Sequence, residues 1–306
     1  MFKEERILDA QGPLPLYCVL WLPEGDVKGV LQLTHGMTEH SGRYDALART
    51  LTAAGWAVAG FDLPGHGRNP GSDGIATFGQ GGWEAALDAM GRFSGYLRDR
   101  FPGTKLVLHG FSLGSFLLRE YLQSRPEGIS GAVIIGTGCQ PGWLLRIIMA
   151  VVNREVRKVG FDGYSSLVRQ LSFGTYNQKF KPLRTEKDWL CSDEGQLDLF
   201  LADPRCRENF SAGLFLQMLS AMERTGKQSS FDLWDQELPV LLISGDRDPV
   251  GDMGTGAAKV RNMAQAAGLN TEFHLIPGAR HDVLHEEASG AAETARTLIL
   301  NWLEKR

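Results

Sequence analysis

Gly110-Phe111-Ser112-Leu113-Gly114 sets one serine between two glycines, each two residues away. A serine hydroxyl is a weak nucleophile until a base takes its proton, so the pattern matters only in the right setting. Here an apolar run, Lys105 to His109, precedes it, and an apolar helical stretch, Leu113 to Leu122, follows. A sharp turn from strand to helix strains the serine backbone and leaves room only for glycine two positions to either side. The hydroxyl then stands over a helix N-terminus, where free N–H groups and the helix dipole favour developing negative charge.

Such a serine needs a base, and the base needs an orienting carboxylate. The later sequence offers both in turn. Val240 to Val250 reads as a strand running into an acidic turn with Asp246 and Asp248. Glu272 to Ile276 reads as a strand followed by a loop carrying His281. Both groups fall at the carboxyl ends of strands, the edge that carries Ser112. Pro249 stiffens the turn after Asp248, whereas Asp246 competes for the acid role or caps the turn. His285, four residues beyond His281, competes for the base. His274 alternates within a strand and reads as structural, and Asp282 would need an awkward local geometry to orient the adjoining ring. A loop after an early strand and the residue after the nucleophile can each lend an N–H to an oxyanion. Leu33-Thr34-His35-Gly36-Met37 is such a loop, so the candidate donors are Met37 and Leu113.

The elements that must position these groups alternate along the chain. Leu14 to Leu22, Val30 to Leu33, Trp56 to Phe61, Lys105 to His109, Ala132 to Ile135, Val240 to Ile243 and Glu272 to Ile276 read as strands. Tyr44 to Ala54, Trp83 to Arg100, the stretch after Ser112 and Ala291 to Glu304 read as helices. That alternation predicts an α/β fold, a mostly parallel sheet covered on both faces. From Gly138 to Trp234 no strand is evident, and the segment is expected to be a helical insertion, with the core formed by residues 1–137 and 235–306.

The bulk numbers exclude other classes. The 306 residues are 43% hydrophobic and 22% charged, with net charge −4, an ordinary globular balance. Without a Lys/Arg block, nucleic acid is not an expected partner. Cys18, Cys139, Cys191 and Cys206 are scattered without metal-ligand spacing, as isolated thiols in a reducing compartment would be. Met1 to Leu8 lacks the apolar core of a signal peptide, and no run approaches the ~18 apolar residues of a membrane span, so a cytoplasmic protein is expected. Gly251 to Lys259 has neither phosphate-loop spacing and reads as the start of a helix. Neither a metal nor a cofactor is expected.

His35-Gly36-Met37 with Glu39 to Tyr44, Asp62-Leu63-Pro64-Gly65-His66-Gly67-Arg68, the Ser112 turn, Ser244 to Gly251 and Gly278 to His281 together resemble the monoacylglycerol lipase/lysophospholipase family of α/β-hydrolases. The matches span the whole core. The resemblance implies the α/β-hydrolase fold with about eight strands and a helical cap at 138–234. It also implies a triad of Ser112, Asp248 and His281, with oxyanion donors at Met37 and Leu113, acting on carboxylic esters of the monoacylglycerol or lysophospholipid type. The family often has histidine after the first elbow glycine; Phe111 stands here and is expected to point away from the chemistry. His66 is read as a hydrogen-bonded loop residue. Trp143 to Val152 is too short to span a bilayer and is expected to line an acyl pocket, touch a membrane surface or pack on the core. Phe173, Tyr176, Phe180, Trp189, Phe200 and Phe215 add aromatic surface, and Met218 with Met222 reads as helix packing. The same triad serves peptidases, thioesterases and acyltransferases; a non-catalytic binding module would tend to have lost a member of it.

Overall fold

The structure is a computed structural model that describes residues 1–8, 15–69, 74–79 and 82–306. Its sheet has eight strands: β1 (Phe2–Leu8), β2 (Leu16–Leu22), β3 (Gly29–Thr34), β4 (Trp56–Phe61), β6 (Lys105–Phe111), β7 (Gly131–Ile135), β9 (Val240–Gly245) and β10 (Thr271–Ile276). They lie in the order β1-β2-β4-β3-β6-β7-β9-β10. The β1–β2 and β2–β4 pairs are antiparallel and every later neighbour is parallel. A two-residue strand β5 (Ile75–Ala76) pairs with β8 (Asn209–Phe210) outside this sheet.

The strand alternation divides the core in two. Leu106 and Leu108 of β6, with Ala132 and Ile134 of β7, join Met90 and Phe93 of helix α2 (Gly82–Arg100) and Phe116 of α3 (Leu113–Tyr121). Val107, Val133 and Ile135 point the other way, onto Leu47 and Leu51 of α1 (Asp45–Ala53) and Ile299 and Trp302 of the helix Ala291–Leu303. A period of two in the strands thus becomes two apolar layers, each sealed by helices. Burying both faces of a parallel sheet in this way is what fixes its carboxyl edge in space.

The sequence reading of seven strands holds within one or two residues, and Leu14 lies outside the described residues. Three strands, β1, β5 and β8, were not anticipated. β1 is an edge strand with the sequence FKEERIL, exposed along most of its length, so it carries little apolar signal. β8 interrupts a stretch in which no strand was foreseen. Otherwise the described chain between β7 and β9 is helical or irregular, and its longest helix is α4 (Gly142–Val159). Arg119 of α3 is wholly buried, and it donates to Thr137 Oγ1 at 3.0 Å, the Gly138 carbonyl at 2.9 Å and the Thr225 carbonyl at 2.6 Å. The helix behind Ser112 thereby grips this segment where it leaves the sheet and near where it returns. Among the described residues no helix is long and apolar enough to cross a membrane.

Candidate active site

The strand ends bring the sequence candidates to one edge. Ser112 directly follows β6 and caps α3, with φ 51° and ψ −116°. A non-glycine residue at positive φ is strained, and the packing around it has to hold it there. Two close approaches do so. A Cβ on Gly110 would sit 2.5 Å from the Gly114 carbonyl oxygen, and one on Gly114 would sit 2.3 Å from that of Thr34. The Ser112 N–H donates to the Ile135 carbonyl at 3.0 Å, and the Ser115 hydroxyl donates to the Ser112 carbonyl at 2.6 Å.

Asp248 lies three residues past β9 and His281 five past β10, both essentially without solvent exposure. His281 Nδ1 is 2.9 Å from Asp248 Oδ1, which also accepts the Val250 N–H at 2.8 Å. A carboxylate oxygen only accepts, so Nδ1 carries the proton and Nε2 keeps its lone pair. That Nε2 has no partner among the described residues, and His281 and Ser112 line one cavity.

The competitors are otherwise engaged. Asp246 Oδ1 accepts the Gly278 N–H at 2.7 Å and ties two loops together. His285 uses both ring nitrogens, on Asp282 Oδ1 at 2.7 Å and the Arg43 carbonyl at 3.1 Å. His274 pairs with Glu272 on its own strand. His66 meets the Pro64 carbonyl at 2.8 Å, and burial pushes its imidazole down to about 3.

The loop after β3 is held from several sides. His35 Nε2 accepts the Leu63 N–H at 2.9 Å, so its Nδ1 donates to the Gly36 carbonyl at 2.7 Å. Glu39 accepts the Gly36 N–H at 2.6 Å and the Tyr44 hydroxyl at 2.9 Å, and it pairs with Arg43. Arg43 reaches on to Asp282 at 2.9 Å, the residue beside His281. Against the upward pull of burial, His285 and Arg43 hold the Asp282 carboxyl well below the usual range. One ion network therefore ties the loop bearing Met37 to the loop bearing His281.

The cavity spans about 610 Å³, the open space at its mouth included. Met37, Phe116 and Val250 line it from the core, and Phe173, Tyr176, Phe200, Phe215, Met218 and Met222 from the intervening segment. Met218 and Met222 thus face the cavity as well as packing, and Phe180 lies outside it. Phe111 departs from its expectation. Its ring lies 4.9 Å from that of His281 and packs on Gly36 and Gly136, where a Cβ would come 3.0 Å and 2.9 Å from it. Trp189 covers another side of His281 at 5.2 Å. Aromatic rings beside a base exclude water and favour the imidazolium that forms when it is protonated. Sequence reading missed this role for Trp189, whose partner is 92 positions away and leaves no local pattern. The segment bearing Trp189 is stitched to the histidine loop: the Asp282 N–H donates to the Leu190 carbonyl at 2.7 Å and the Ser192 N–H to Glu286 at 3.0 Å.

One further group, absent from the sequence reading, gathers His40, Asp203 and Cys206. Asp203 already accepts from Arg205 through both oxygens and meets His40 at 3.0 Å, and burial pushes the Cys206 thiol up to about 12. With both Asp203 oxygens engaged by Arg205 and the thiol held protonated, the three do not make a ready metal site.

Comparison with known proteins follows the same lines. Human monoglyceride lipase is 24% identical over 302 residues, covering 98% of this chain and 90% of its own. A monoacylglycerol lipase of Mycolicibacterium smegmatis is 23% identical, covering 93% and 92%. Among solved structures, a thermostable carboxyl esterase from Bacillus coagulans superposes with a TM-score of 0.87 at 20% identity, covering 100% of this chain and 99% of its own. That likeness establishes the α/β-hydrolase fold. The family described as serine aminopeptidase, S33, matches residues 25–288. With that span covering most of its length, the chain belongs to this hydrolase family, in the branch resembling the monoacylglycerol lipases.

Proposed function

We propose that the chain is a carboxylic-ester hydrolase for single-chain acyl esters of the monoacylglycerol or lysophospholipid type, working through a Ser112, His281 and Asp248 triad. The observation that carries this reading is the 2.9 Å pair of His281 Nδ1 and Asp248 Oδ1, with Nε2 unpaired beside the cavity Ser112 lines. In the proposed cycle His281 Nε2 takes the hydroxyl proton as Ser112 Oγ bonds to the ester carbon. The N–H groups of Met37 and Leu113 hold the oxyanion. His281 returns the proton to the departing alcohol, leaving an acyl-serine, and then activates the water that releases the acid. Asp248 fixes the tautomer and stabilises the imidazolium throughout.

The aminopeptidase description of the family fits the cavity less well. A free amino terminus calls for an unpaired acid, and the acid in the cavity wall, Glu39, is committed to Arg43. The aromatic and methionine lining suits an acyl chain. Residues 138–234 are proposed to act as the cap that encloses that chain. The test is a p-nitrophenyl ester series from acetate to palmitate. Activity is expected to peak at medium or long chains; activity confined to acetate would contradict an acyl pocket.

Trp143 and Ile147 are 65% and 57% exposed and, with Val151, form an apolar stripe along α4 beside the exposed Arg154, Arg157 and Lys158. This is the makeup of an interfacial helix, and we propose that it rests on lipid during substrate capture. Trp143→Asp is then expected to weaken co-sedimentation with anionic vesicles about tenfold or more, by the burial value of one large aromatic, without changing hydrolysis of a soluble ester. Unchanged vesicle binding would remove the proposal. The four unpaired cysteines support a cytoplasmic setting.

A further inference from the structure

Lys187 is a charge in the cavity wall that the proposed reaction does not use. It is only 4% exposed and lines the same cavity as Ser112. The other cation in that wall, Arg43, is balanced by Glu39 and Asp282. Lys187 has no such pairing: among the described residues no carboxylate lies within ion-pair distance of it, and the Glu208 carboxylate attracts it only from beyond that distance. Its ammonium makes one long hydrogen bond, 3.4 Å to the Arg207 carbonyl, and sits 4.5 Å from the centre of the Phe200 ring. Lys187 and Phe200 also line a second cavity of about 660 Å³, beside Thr185 and Glu208, so they form the partition between the two. Burial pushes the ammonium down to about 8, which leaves most of it charged at neutral pH.

A buried charge without a counter-ion is costly, and a methionine or leucine of similar volume would avoid that cost. A ligand that brings an anion removes it instead. Resting on the ester-hydrolase reading above, we infer that Lys187 recognises an anionic oxygen group, phosphate or carboxylate, carried by the ester substrate. The rest of the cavity is apolar and would hold the acyl chain. The anion is then placed by a charge-assisted hydrogen bond in a site poor in water, where such a bond is strongest.

The anion can sit on either side of the ester bond, and two matched pairs separate the cases. One pair is 1-decanoylglycerol and 1-decanoylglycerol 3-phosphate. The other is the p-nitrophenyl ester of a monocarboxylic acid and the mono-p-nitrophenyl ester of the dicarboxylic acid of equal length. For wild type, kcat/KM is expected to be about tenfold or more higher for the charged member of one pair, the worth of a charge-assisted bond. Lys187→Met should erase that preference by raising KM for the charged member about tenfold more than for the neutral one, and Lys187→Arg should retain most of it. Thermal unfolding of Lys187→Met should be no lower than wild type, since a desolvated charge is removed. Equal or weaker turnover of both charged members, or an equal loss on both members of a pair in Lys187→Met, would overturn the inference while the neutral esters still report the hydrolase. Failure to hydrolyse any of the four esters would instead overturn the underlying reading.

Discussion

Ser112→Ala is expected to lower kcat on a medium-chain p-nitrophenyl ester by about a millionfold, the scale of losing a serine nucleophile that acts as one unit with its base. The size follows from the geometry. His281 has one free nitrogen, and without the Ser112 oxygen no covalent route is open to it. Some rate above that of water should survive, since the oxyanion donors and the cavity still bind the ester. Folding should not suffer. Alanine fits at the turn as serine does, and the Ser112 contacts that hold the elbow are made by its backbone N–H and carbonyl. Urea unfolding and ester turnover measured on the same sample separate the two effects; turnover near wild type would remove Ser112 from the chemistry.

Asp248→Asn should cost about ten-thousandfold in kcat, as replacing the orienting acid does in serine proteases. An amide in place of the carboxylate can present an N–H to His281 Nδ1. The imidazole would then carry its proton on Nε2, where it cannot accept one from Ser112. The companion change Asp246→Asn should leave kcat within a few-fold, because an amide oxygen can still accept the Gly278 N–H that Asp246 now takes at 2.7 Å. The contrast between adjacent acids, read from pH-rate profiles of both variants, distinguishes an orienting role from a merely structural one. Equal losses in both would assign the defect to the loop they share.

The core was legible in the sequence because its signals are local. A buried parallel strand is a short apolar run, and β3, β4, β6, β7 and β9 each show one between glycines or prolines. Ser112 and Asp248 each follow such a run, β6 and β9, whereas His281 follows β10, a half-exposed strand with the sequence TEFHLI. What stayed hidden depends on distant partners. Phe111 was expected from the turn alone to point away from the chemistry; its ring instead packs on Gly36 and Gly136 beside His281. Trp189 and Lys187 lie in a segment of short helices and turns, held by contacts to the histidine loop and to Phe200 rather than by any period of its own. β1 escaped notice for the opposite reason: an exposed edge strand needs few apolar residues.

The most direct test of the central claim is to treat the folded protein with an alkyl fluorophosphonate and locate the adduct by mass spectrometry. A single stoichiometric adduct on Ser112, lost in His281→Ala, is the expected result. An adduct on another residue, or none on protein that still hydrolyses esters, would contradict the assignment of Ser112, His281 and Asp248 as the catalytic machinery.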